Sequence, residues 1–163
     1  MKILTTVIAV LLLMQSTICA EESWRFLMLA DWHIAEVYVH PNEYPEMMEE
    51  ISASLEMLKA NYGGELVMLP GDSNRGHWDT EEFIERFNPK LTPAESILQA
   101  GELCYTGMAG AFKEAGYSRL LMAVGDHEVG DNPWPPGTAV SRHQAEFREA
   151  FANVFNINPD NGE

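Results

Sequence analysis

Six ionisable residues stand in three short clusters, Asp31-Trp32-His33, Gly71-Asp72 and Gly125-Asp126-His127-Glu128. Carboxylate oxygens and imidazole nitrogens together suit a divalent metal such as Mn, Fe or Zn. Asp31, Asp72 and Asp126 meeting at one place would repel one another unless a cation or protons neutralised them. A histidine beside such a centre has a second use, because imidazole can protonate a leaving oxygen near neutral pH. Each cluster alone has a plain reading: Gly-Asp after a strand is an ordinary turn, and Asp-x-His is a turn aspartate with a surface histidine. The chemistry therefore depends on convergence, and convergence depends on the elements that carry the clusters.

Each cluster follows an apolar run. WRFLMLA (24–30), ELVMLP (65–70) and RLLMAV (119–124) read as strands. Between the first two, Met47, Ile51, Leu55 and Leu58 recur at helical spacing over 45–61, and Gly63-Gly64 ends the pattern. Asp79 and Thr80 can cap a short acidic helix through Phe87. Thr92, Pro93 and Glu95 form a capping box with proline at the first helical position, opening a helix towards Ala115. Gly101, Gly107 and Gly110 lower the helical propensity of that segment. A last helix over 141–155 puts Phe147, Phe151, Val154 and Phe155 on one face.

This alternation predicts the α/β class, a parallel sheet with crossover helices. Continuous apolar strands predict burial on both sheet faces. In open sheets of this kind, ligands collect beyond the carboxyl ends of the strands. All three clusters follow strands, so the same edge would receive all of them.

The 163 residues have the length of one domain or part of one. Residues 1–20 read as a secretory signal: Lys2, an apolar run from Ile3 to Met14, then a small residue, Ala20, before Glu21. The run is shorter than the ~20 residues a membrane span needs, so no stable membrane anchor is expected. Export to a periplasm or the extracellular space follows, with cleavage near Ala20 and residues 21–163 as the folded part. The formal net charge is −15, and loss of Lys2 makes the remainder more acidic still. Such a surface repels the nucleic-acid backbone, so no nucleic-acid-binding surface is expected. Only Cys104 remains after cleavage, so there is no internal disulfide; a packed core thiol is expected.

The three clusters, in this order and each after a strand, resemble the first three motifs of the calcineurin-like metallophosphoesterase family. The resemblance spans about residues 24–140. It implies a metal-dependent phosphoesterase that hydrolyses a phosphate mono- or diester by in-line attack of a metal-activated hydroxide. It further implies two divalent metal ions (Mn, Fe, Zn or Mg), with Asp31, His33, Asp72 and Asp126 as ligands. His127 would be the general acid and Glu128 would orient its imidazole. Asp126 stands where the family usually has asparagine. The family's later histidines, typically one alone and then a G-H-x-H pair, have no counterpart here. The expected fold is thus the parallel-sheet half of an α/β/β/α sandwich, apparently truncated. The alternative is a truncated or non-catalytic exported domain that retains a partial metal-binding site. Of the other histidines, His77 stands close enough after Asp72 to reach the crevice but reads better as a solvent-facing loop residue, His143 reads as exposed and His40 as ambiguous. Trp32, Trp78 and Trp134 lie in loops near the expected crevice, where they either flank a substrate or pack within the loops. The proline-rich stretch 131–137 reads as a stiff loop beside it, and Arg75 and Arg142 are candidates for a phosphate contact or simply surface cations.

Overall fold

The computed structural model describes residues 24–33, 44–129 and 142–155. The leader, His40, the 131–137 loop with Trp134, and the polar C-terminal end lie outside the described residues.

Three strands, β1 (Phe26–Met28), β2 (Leu66–Leu69) and β3 (Arg119–Met122), form one sheet in the order β1-β2-β3. Both pairings are parallel, with Leu27, Val67 and Leu120 in one row. Four helices accompany them: α1 (Tyr44–Tyr62), α2 (Glu81–Phe87), α3 (Pro93–Glu114) and α4 (Gln144–Phe155). The parallel α/β reading is therefore what is found. The ladder continues past the strand ends through Leu29 N–H to Met68 O (3.1 Å) and Ala123 N–H to Leu69 O (2.8 Å), which keeps the three chain exits abreast.

The helix boundaries follow local signals. Thr80 accepts from the Phe83 amide at the start of α2. At α3, Thr92 Oγ1 accepts from the Glu95 amide (3.3 Å), while the Glu95 carboxylate accepts from the Thr92 amide (2.8 Å). This reciprocal pair satisfies donors that the first helical turn leaves open. The last helix runs over Gln144–Phe155, its first helical bond being from the Phe147 amide to the His143 carbonyl (3.2 Å); residue 141, where the sequence reading starts it, lies outside the described residues.

The core lies between the sheet and the helices. Val67 and Leu69 from β2 meet Leu55 of α1, Ile97, Tyr105, Met108 and Phe112 of α3, and Phe147 and Phe151 of α4. Each such apolar side chain contributes about 1.5–3 kcal/mol by leaving water. Cys104 is fully buried among them, as a core thiol.

Three expectations are corrected. The edge strands β1 and β3 are not buried on both faces: Phe26, Met28 and Leu121 are exposed, while Leu27, Leu120 and Met122 on the other face pack against the core. In the central β2, Leu66, in register with Phe26, is buried. The core helices cover the face that carries Leu27, Val67 and Leu120, and an apolar run alone does not reveal which of its sides is covered. Trp78 is not at a crevice; its indole is 3% exposed and stacks on Phe147 with ring centres 5.7 Å apart. Trp32 likewise packs on Phe112, at 5.3 Å. Finally, Gly101 does not simply weaken α3. A Cβ there would lie 2.5 Å from the Ala150 Cβ, so its absence lets α3 and α4 approach closely.

Candidate metal centre at the strand ends

Each strand delivers its cluster to the same edge. Among the described residues, the non-glycine positions with positive φ are Asp31 (53°), His33 (48°) and Asp72 (53°). All belong to the sequence-predicted site. This left-handed backbone is sterically costly for residues with a Cβ, by about 1–3 kcal/mol each, and it persists where surrounding bonds enforce it. Here the His33 amide donates to the Asp72 carbonyl (3.2 Å), tying the first cluster to the second.

The second and third clusters meet through their glycines. A Cβ on Gly71 would sit 2.8 Å from Gly125 Cα, and one on Gly125 would sit 2.6 Å from the Asp72 amide nitrogen and collide with its carboxylate. The glycines therefore allow two backbones to touch, beyond shaping their own turns.

Asp72, Asp126 and His127 offer donor atoms that all lie within 4.8 Å of one another, and this group could hold a metal ion. Burial pushes the Asp72 carboxyl above its usual range. Its hydrogen bond with Asp126 pushes it further, the His127 amide donating to it pulls the other way, and the charges of Asp126 and Glu128 add to the rise. Two carboxylates in this relation require a proton or a cation between them. Two carboxylate oxygens and one imidazole nitrogen are a donor set that suits a single divalent ion, so these three residues could hold a metal ion.

Asp31 and His33 form a pair alongside. His33 Nε2 lies 2.6 Å from Asp31 Oδ1; the Asp31 side chain is 74% exposed and that of His33 28%. The His33 ring reaches His127, with centres 4.7 Å apart. The four expected ligands thus occupy one edge, but Asp31 and His33 do not join the tight group of donor atoms, which takes in His127 instead.

His127 and Glu128 sit in a single 3₁₀ turn, His127–Val129, closed by the Val129 amide on the Asp126 carbonyl (3.1 Å). His127 Nδ1 lies 2.9 Å from the Arg75 carbonyl oxygen. Gly76, at φ 68°, rests against the His127 backbone, where a Cβ would be 3.0 Å from the His127 carbonyl carbon and closer still to its oxygen. Glu128, expected to orient the imidazole, commits both carboxylate oxygens to the 72–74 segment and Gly125. The group that meets Nδ1 is the Arg75 carbonyl, while the Arg75 side chain is at the exposed surface.

Sequence reasoning passed over several participants. Ser73 and Asn74 are buried, and Asn74 Nδ2 donates both to Glu128 and to Tyr105 Oη (2.7 Å), joining the loop to α3. His77, read as solvent-facing, stands with its ring centre 6.4 Å from that of His127. The usable signal was Gly76 beside His77, a glycine that marks a close backbone approach. His143 is half-buried, with Nδ1 3.6 Å from Glu146 Oε1.

Comparison of the chain with protein-family models, curated proteins and solved structures finds no match.

Proposed function

We propose that the strand-end edge is a divalent-metal centre serving hydrolysis of a phosphate mono- or diester. The observation that carries this reading is the Asp72–Asp126–His127 group, whose donor atoms lie within 4.8 Å of one another at the carboxyl ends of parallel strands. Asp72 and Asp126 would hold the ion, and Asp31 with His33, one strand away, would serve a second. Such ions supply a hydroxide nucleophile near neutral pH and neutralise charge on phosphoryl oxygens.

The chain's own residues account for the remaining work. A carbonyl oxygen only accepts, so the His127–Arg75 contact places hydrogen on Nδ1 and leaves Nε2 as the nitrogen that exchanges a proton. His127 in its protonated form would donate from Nε2 to the leaving oxygen, which is general-acid help worth about 10²–10⁴-fold. Asp31, hydrogen-bonded to His33 Nε2, fixes that ring beside His127. The acidic chain would slow approach of an anionic ester, and the metal charge at the edge would offset this locally.

A second reading is favoured by the exposure of Asp31: a non-catalytic exported domain in which only the Asp72–Asp126–His127 group takes a cation. One experiment separates them. The chain, loaded with Mn²⁺, is assayed on p-nitrophenyl phosphate and bis-p-nitrophenyl phosphate, with Asp72→Asn as control. Turnover lost in Asp72→Asn supports the hydrolase; bound Mn²⁺ with no turnover on either ester overturns it.

A further inference from the structure

Glu128 is a fully buried acid that the proposed chemistry does not use. A carboxylate out of water is costly unless donors surround it. Here they do. Oε1 accepts from Ser73 N (2.8 Å), Ser73 Oγ (2.8 Å), Asn74 Nδ2 (3.0 Å) and Asn74 N (3.3 Å). Oε2 accepts from Asp72 N and Gly125 N, both at 2.8 Å. Successive main-chain amides turned towards one point form an anion-binding nest, and Glu128 is the resident anion of this one.

The two bonds to Oε2 have the sharper consequence. One comes from the amide of Asp72 and the other from the residue immediately before Asp126, so a single oxygen joins the backbones that carry both carboxylates. The same contacts brace Asp72 at φ 53°, in the left-handed region, which aspartate tolerates better than most residues with a Cβ but still at some cost. Ser73 and Asn74 add further donors from the loop after β2, which hold the carboxylate across from its own loop, where Gly125 donates to it.

We infer that Glu128 is a positioning residue: it sets the separation and aim of Asp72 and Asp126, and thereby the affinity of the edge for a divalent cation. The inference rests on the metal reading above but not on hydrolysis. Groups that orient metal ligands from behind change affinity by about 10- to 100-fold when removed. The nest that Glu128→Ala leaves open should accept a small free carboxylate, because its donors remain in place.

The test is Mn²⁺ binding to the whole chain by titration calorimetry, with folding followed by far-ultraviolet circular dichroism. Glu128→Ala is expected to keep its helical signal and lose about 10- to 100-fold in Mn²⁺ affinity. Added formate is expected to recover most of that loss, and chloride at equal ionic strength is not. Unchanged affinity in Glu128→Ala overturns the inference, as does formate that raises the melting temperature without restoring Mn²⁺ binding. Should Glu128→Ala fail to fold, Ser73→Ala removes one donor and no backbone: a several-fold weaker Mn²⁺ affinity supports the inference, and unaltered affinity overturns it. No Mn²⁺ binding by the unsubstituted chain is a different result, and overturns the metal reading itself.

Discussion

The Nδ1 atom of His127 lies 2.9 Å from the main-chain oxygen of Arg75, so the loop after β2 fixes the proton geometry of a ring carried by the loop after β3. If Nε2 protonates a leaving oxygen, the need for it depends on that oxygen. His127→Gln is expected to lower kcat/KM on an alkyl phosphate ester by about 10²–10⁴-fold. On a p-nitrophenyl ester, whose leaving group departs as a stable anion, the loss should be much smaller. Steady-state assays on the two esters measure the contrast. An equal loss on both would assign the ring to cation binding, for which its donor atom is also placed.

Asp72 gives the site a pH dependence of known sign. Burial, and then the hydrogen bond with Asp126, push its carboxyl up, so the folded chain binds more protons than the unfolded chain between the two values. Asp72's contribution to the stability of the metal-free protein is therefore present below the ordinary carboxylate range and is lost as pH rises through the raised value. A divalent ion competes for the same oxygens. Mn²⁺ should raise the melting temperature at neutral pH, and this shift should shrink as the solution is acidified. Thermal melts with and without Mn²⁺ across that range measure it; a shift that does not shrink would exclude Asp72 as a ligand.

Asp126 can be tested separately. An amide there keeps an oxygen for a cation and gains an NH₂ able to donate to the Asp72 carboxylate or to a phosphoryl oxygen. Asp126→Asn is expected to stabilise the metal-free protein at neutral pH by about 1 kcal/mol, the size of one net hydrogen bond. It should also lower KM for an anionic ester, because one negative charge leaves the edge. Chemical denaturation and Michaelis kinetics report the two effects. A destabilised Asp126→Asn would mean that the Asp72–Asp126 contact is not the conflict described here.

What the sequence disclosed follows the range of the interactions involved. Thr92, Pro93 and Glu95 announce the start of α3 because a capping box is complete within four residues. Asp31, Asp72 and Asp126 were placed at one edge because strand direction, a local property repeated in each unit, carries them there. Glu128 was misread because its partners lie 54–56 residues away, apart from Gly125. Trp78 stayed open between substrate flank and loop packing for a related reason: it follows a loop motif, and the residues that close over it, Phe147 and Tyr105, come from α4 and α3. The expectation that both faces of β1 are buried failed because Phe26 and Leu27 are both apolar while only Leu27 meets the core, although the half-sandwich reading already implied one uncovered face.

The glycines of α3 offer a test of packing against propensity. In an exposed helix interior, glycine to alanine gains up to about 1 kcal/mol, since alanine has the best intrinsic propensity. At Gly110 a Cβ would meet nothing within 4 Å, so Gly110→Ala should stabilise by up to that amount. At Gly101 the same Cβ would lie 2.5 Å from the Ala150 Cβ and 3.0 Å from the Trp78 ring. Pushing α4 and the indole aside costs about 1–3 kcal/mol, more than propensity returns, so Gly101→Ala should destabilise. The two variants share a helix and a chemical change and are expected to differ in sign. Urea denaturation of both resolves it: a stabilised Gly101→Ala would show that α3 and α4 do not meet through that glycine.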